Sequence, residues 1–128
     1  MQFFESHIIV NPDDLDELNH VNNVRYVQWV QEVAKEHWLH RASTDMLKNY
    51  YWVMINHCIE YKNSAFLNDA IQLKTYIKSS KGPISNRIVE ITNSQNGQLL
   101  AKSETKWCLI NAQTNKPVRI TSEITDLF

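Results

Sequence analysis

Glycine is almost missing from this chain of 128 residues; only Gly82 and Gly97 occur. Phosphate-cradling loops of the Rossmann and P-loop kinds need several glycines where the backbone closes on the ligand, so both are excluded. A ligand that carries phosphates would have to be held by side chains. Cysteine is scarce too. Cys58 and Cys108 are too few and too far apart for a CxxC site or a disulfide framework, and both are expected to be buried thiols. No apolar run approaches the ~20 residues that span a bilayer. The opening stretch Met1 to Val10 has no basic region and no small-residue cleavage site, so it does not read as a secretory signal. The formal net charge is −1, so no nucleic-acid footprint is expected. These absences predict a cytoplasmic protein with no membrane and no nucleic-acid partner.

Apolar residues make up 43% of the chain, which argues against disorder. Its length suits one domain, 1–128, able to bury roughly two thirds of its unfolded surface around a single core. There is no repeat, low-complexity stretch or linker.

Phe3 to Val10 is aromatic and β-branched and reads as a strand, and Asn11-Pro12-Asp13-Asp14 is turn chemistry. Asn22 or Asn23 can cap a helix, because an Asn side chain accepts from the free N–H groups of a first turn. The helix then runs to about Leu39 or Arg41. Tyr26, Val30, Val33 and His37 form one stripe on it, and Val27, Val30, Ala34 and Trp38 another. Such a helix should be largely covered. Ser43-Thr44-Asp45 can start a further helical turn.

From Tyr50 the period becomes two. Val53, Ile55, His57, Ile59 and Tyr61 fall on one face, and Trp52, Met54, Asn56, Cys58 and Glu60 on the other. Ile71, Leu73, Thr75 and Ile77 mark the dry face of the next strand. Lys81-Gly82-Pro83 turns the chain into a strand from Ile84 to Asn93. Asn96-Gly97 is a hairpin signal, since both residue types tolerate positive φ. Leu99 to Ile110 is a long last strand, followed by a turn and a short tail. One strand, one helix and four strands on short turns predict an α+β fold with an antiparallel sheet.

The densest polar segment lies between the first strand and the helix. Asp14-x-Asp16-x-x-x-His20-Val21-Asn22-Asn23-x-x-Tyr26 resembles the hotdog-fold thioesterases of the 4-hydroxybenzoyl-CoA thioesterase superfamily, in particular their acyl-CoA and plant acyl-ACP branches. Ile59-Glu60-Tyr61 with Asp69 is similar to the family's second-strand element. Gly97 to Ala101, Trp107 and Lys116 to Ile120 are similar to its last hairpin and exit. The resemblance implies a five-stranded antiparallel sheet wrapped around one long helix, and assembly as a homodimer or homotetramer. By position it implies a catalytic carboxylate at Asp16, a helper at His20, and substrate contacts from Asn22, Asn23, Val24, Tyr26 and Glu60. The plant enzymes have an Asn two residues after the Asp, where Leu18 stands. They have a glutamate beyond the Glu-Tyr pair, where Ser64 stands. Asp16 and His20 must then carry more of the chemistry.

The residue types suit the reaction. A thioester carbonyl is electrophilic and its thiolate leaves readily, so hydrolysis needs a positioned water or nucleophile and donors for the developing oxyanion. A carboxylate beside a helix entrance can act as general base or attack directly. Free N–H groups near Asn23 and Val24 can form the oxyanion hole. His20 can orient the carbonyl or protonate the leaving sulfur. No cofactor is required beyond the coenzyme A or carrier protein of the substrate. Lys62, Lys78, Lys81, Arg87 and Arg25 are candidates to meet the phosphates.

Plainer roles stand beside these. Asp14 suits a turn, Glu60 an ion pair on an edge, and Glu32 a salt bridge on the helix. His37 and His40 near Glu36 do not make HExxH, so no metal is expected. Two other functions compete. A hotdog hydratase would need an Asp five residues before His20, where Leu15 stands. A non-catalytic acyl-binding module is disfavoured by Asp16.

Overall fold

A computed structural model describes residues 2–128. The chain runs through β1 (Phe4–Ile9), a short 3-10 turn (Pro12–Asp14), α1 (Asn23–Arg41), α2 (Thr44–Asn49), β2 (Tyr50–Tyr61), β3 (Ala70–Lys81), β4 (Ile84–Asn93), β5 (Leu99–Asn111), β6 (Lys116–Pro117) and α3 (Ser122–Thr125). The strands form one antiparallel sheet in the order β1-β3-β4-β5-β2, and two-residue β6 adds to the end of β5. The sheet curls around α1, which is the hotdog arrangement that the resemblance implies. The sixth strand and α3 are additions, and the expected tail is helical. Among the described residues no helix is long and apolar enough to cross a membrane.

Helix α1 starts where its cap allows. The Asn22 side chain accepts from the Val24 N–H, satisfying one of the four donors a helix start leaves open. His40 and Arg41 close the helix at the end where positive charge suits its dipole. The buried face is Tyr26, Trp29, Val30, Val33, Ala34 and His37. Trp29 is an addition to the expected stripes and is 1% exposed. The apolar interior has two parts. One lies under the first half of α1 and joins Trp29, Val30 and Val33 to Ile71, Leu73, Val89 and Ile91. The other joins Met46, Leu109, Ile120 and Ile124, with Trp38, Trp52 and Phe128 packed on it.

Two local expectations are corrected. In β2 the pairing with β5 shifts between Met54 and Asn56. This bulge adds a residue and reverses the alternation. Tyr50, Trp52 and Met54 turn inward before it, and His57 and Ile59 after it. Val53 and Ile55 are therefore exposed, and so is Cys58, leaving Cys108 as the one buried thiol. The Asn96-Gly97 turn is longer than a two-residue hairpin. Gly97 takes φ 74° while Asn96 does not enter positive φ. The Asn93 side chain organises the loop instead, accepting from the N–H groups of Gln95 and Asn96.

Candidate active site

The loop from Asp14 to Asn22 is a small closed structure. Leu15 and Val21 pair as an antiparallel bridge at its stem. The Asp16 N–H donates to the His20 carbonyl at 2.8 Å, and the Asn19 N–H to the Asp16 carbonyl at 3.1 Å. Asn19 takes φ 63°, a left-handed conformation that Asn adopts more readily than most residues. Within this loop the Asp16 carboxylate is fixed by the backbone. Its Oδ1 accepts from Leu18 N–H at 2.9 Å and from His20 N–H at 3.2 Å. Among the described residues Oδ2 has no donor. The His20 ring stands edge-on to Phe66 at 5.2 Å, so Asp16 and His20 meet through the backbone of His20 rather than through its imidazole.

Asp14 anchors this loop to the helix. It is 5% exposed. Oδ1 accepts from Arg25 Nε at 2.7 Å, Oδ2 from Asn11 N–H at 2.9 Å, and its carbonyl from Asn22 N–H at 2.9 Å. Burial works against the Arg25 charge, but Asp14 and Glu32 outweigh it and raise the Arg25 pKa. Asp14→Asn should therefore lower stability by about 2 kcal/mol, less than the loss of a fully buried pair because the Arg25 side chain is 30% exposed. Denaturant unfolding measures this, and an unchanged midpoint would contradict the anchoring role.

Asp16, His20, Asn22, Asn23 and Tyr26 line one polar cleft of about 570 Å³ at the amino end of α1. Tyr61, Lys62 and Asn63 face them from the end of β2, and both departures from the plant pattern, Leu18 and Ser64, lie in the same lining. The sequence reading missed Tyr61 and Asn63. Tyr61 ends β2 and Asn63 follows it, so the long-range pairing of β2 with β5 brings this segment to the amino end of α1. The Tyr61 hydroxyl donates to the Asn23 carbonyl at 3.3 Å. The Tyr26 hydroxyl accepts from Ala65 N–H at 3.1 Å, and burial raises its pKa.

The remaining candidates sit elsewhere. Val24 is 62% exposed, and its N–H is taken by the Asn22 cap at 3.0 Å. The Asn23 N–H has no partner among the described residues. Glu60 is outside the cleft lining and pairs with Lys62 at 2.7 Å, whose hydrogen bond and charge hold its pKa below the usual carboxylate range. Of the five cations considered for phosphates, Lys62 alone lines the cleft. Arg25 is tied to Asp14 and Glu32, Lys78 to Glu104, and Arg87 is buried. Among the described residues no His, Cys, Asp and Glu side chains gather in threes as a metal site.

Solved structures with this architecture are distant in sequence. YbaW, a probable thioesterase from Escherichia coli, is 24% identical, with TM-score 0.87 over 96% of this chain and 94% of that one. A 1,4-dihydroxy-2-naphthoyl-CoA thioesterase from Synechocystis is 15% identical, with TM-score 0.84 over 98% and 95%. The 12:0-ACP thioesterase of Umbellularia californica is 14% identical, with TM-score 0.81; the match covers 97% of this chain and 48% of that one. These likenesses establish the fold. No curated protein matches the chain. The family model for the acyl-ACP thioesterase N-terminal domain matches residues 1–128. That match from first residue to last makes the chain a member of the acyl-ACP thioesterase N-terminal-domain family, and with it a hotdog thioester hydrolase.

Proposed function

We propose that the chain hydrolyses an acyl-CoA or acyl-carrier-protein thioester to the free acid and thiol at the Asp16 cleft. The observation that carries this reading is the state of Asp16. Two backbone N–H groups fix one carboxylate oxygen, and the other is left to act beside a helix entrance. As general base, Asp16 takes a proton from water while the water oxygen bonds to the thioester carbonyl. The alternative is direct attack by the carboxylate to give a mixed anhydride. In either case the oxyanion faces the unpartnered Asn23 N–H and the positive end of α1. On the general-base route collapse breaks the carbon–sulfur bond, and the protonated Asp16 or His20 returns a proton to the thiolate. On the nucleophilic route collapse leaves the mixed anhydride, and His20 protonates the thiolate. A water then opens the anhydride to the free acid and the Asp16 carboxylate. Asn22 and Tyr26 shape the cleft through their backbone partners. The scheme uses no cofactor.

Thiol release from a panel of acyl-CoA and acyl-carrier-protein substrates tests the reading. Turnover of at least one substrate, lowered by orders of magnitude in Asp16→Asn, is expected. Binding without release from any substrate would favour an acyl-binding module instead. Lys62 is the candidate cation that lines the cleft, where a phosphate would compete for it with Glu60. Lys62→Ala should therefore raise KM for CoA thioesters several-fold, roughly the loss of one exposed charge contact, with kcat little changed. An unchanged KM would remove Lys62 from the site.

Self-association belongs to the same reading. β2 is a sheet edge twelve residues long, with Tyr51, Val53 and Ile55 exposed along it. Free edges of this kind invite pairing. Sedimentation should find a dimer or tetramer, and a monomer at micromolar concentration would count against it.

A further inference from the structure

A second cavity, about 560 Å³, opens at the carboxyl-terminal half of α1. That volume is in the roughly 300–1,000 Å³ range of small-molecule sites. It shares no lining residue with the Asp16 cleft. Its walls are mostly apolar, with Trp38, Trp52, Trp107, Leu39 and Ile77 among them. Such walls alone would take any greasy ligand. Arg87 makes the cavity selective.

Arg87 projects from β4, lines the cavity, and is only 7% exposed. Its Nη1 donates to His37 Nδ1 at 2.8 Å and to Thr75 Oγ1 at 2.9 Å. Both acceptors are uncharged, since burial and the nearby Arg87 charge hold the His37 pKa at about 3. Nε and Nη2 donate to no protein group among the described residues, and no carboxylate there reaches ion-pair distance of the guanidinium. Burial pulls the Arg87 pKa down to about 10, so the group remains charged at neutral pH. A buried cation without a counter-ion is costly. A carboxylate would offset that cost, because a guanidinium presents paired N–H donors that match its two oxygens. Ser85 adds a hydroxyl to the same lining.

We propose that this cavity binds an amphipathic monocarboxylate, with its carboxylate on Arg87 and its apolar tail along the tryptophans. The site stands on its own geometry, independent of the role of Asp16. Dodecanoate, dodecanol and dodecyltrimethylammonium, each below its micelle concentration, are titrated into the full chain while tryptophan emission is followed. Dodecanoate should bind at least tenfold more tightly than the alcohol, with the ammonium ion weakest. Arg87→Met should lose at least tenfold in dodecanoate affinity and keep its affinity for dodecanol. Equal affinity for dodecanoate and dodecanol in the native chain overturns the proposal, as it would if a carboxylate of a second copy already met the charge. Unchanged dodecanoate affinity in Arg87→Met overturns it as well. Where Arg87→Met does not fold, the native preference for dodecanoate is remeasured in Lys62→Ala: an unchanged preference places the ligand outside the Asp16 cleft, and loss of the preference overturns the proposal.

Discussion

Asp16→Asn should reduce kcat for thioester hydrolysis by roughly 10²–10⁴-fold, the range that general acid–base groups contribute, with the melting curve almost unmoved. The asymmetry follows from the two carboxylate oxygens. Asn keeps an Oδ1 that can accept from Leu18 N–H and His20 N–H, so the loop retains its geometry. What disappears is the basic oxygen that faces the cleft. A large fall in kcat with an unchanged fold would be the signature of a chemical role. Hydrolysis close to the native rate would remove Asp16 from the mechanism, whereas a collapse in stability would make it a loop residue. Single-turnover hydrolysis in heavy-oxygen water shows which carbonyl carbon the water attacks. Label in the Asp16 side chain marks nucleophilic attack with water opening the anhydride at the aspartyl carbonyl, whereas label confined to the released acid marks water bonding to the acyl carbon, as general-base catalysis requires.

Stability should fall steeply in acid, and His37 should be the main reason. His37 is fully buried between α1 and the sheet. Its ring stacks on Phe4 at 5.2 Å and meets Phe128 edge-on at 4.7 Å. Burial first, then the charges of Arg87, Arg41 and His40, lower its pKa from 6.5 to about 3. Above pH 6.5 the imidazole is neutral in both the folded and the unfolded chain, so it gives no pH dependence there. Below 6.5 the unfolded chain takes up a proton that the folded chain refuses. Stability therefore declines as pH drops from 6.5 toward 3 and levels off below, by on the order of 3–5 kcal/mol in all. His37→Gln offers Arg87 a neutral acceptor in place of Nδ1. It should flatten that slope, which is about 1.4 kcal/mol per pH unit at its steepest. Urea midpoints measured across this window in both proteins are the test, and parallel slopes would refute it.

Much of this molecule was visible in its residue order, because the signals were local. The Asn22 cap, the Ser43 cap and the period of β3 each depend on near neighbours, and they stand in the structure where propensity puts them. The polar loop was equally plain, since its density of Asp, His and Asn is a property of the sequence itself. The rest depended on long-range pairing. The bulge in β2 is set by how β5 lies against it, which no alternation within β2 reveals. Tyr61 is brought beside the cleft by that same pairing. Arg87 carried a charge that suggested the site mouth. Its position on β4 opposite Ile77, beside the buried Thr75 and His37, turns it inward. Trp29 falls outside the two expected stripes, although it stands one residue before Val30 and is buried with it.

The bulge between Met54 and Asn56 also divides the labour of the molecule. Trp52 lines the apolar cavity and Tyr61 the polar cleft, yet an unbroken strand would aim an even-numbered and an odd-numbered residue at opposite faces. The irregularity works as a half-step that lets a single strand furnish both ends of α1. Removing one residue there, for instance Ile55, would keep the strand's composition while forcing one end to surrender its lining to solvent.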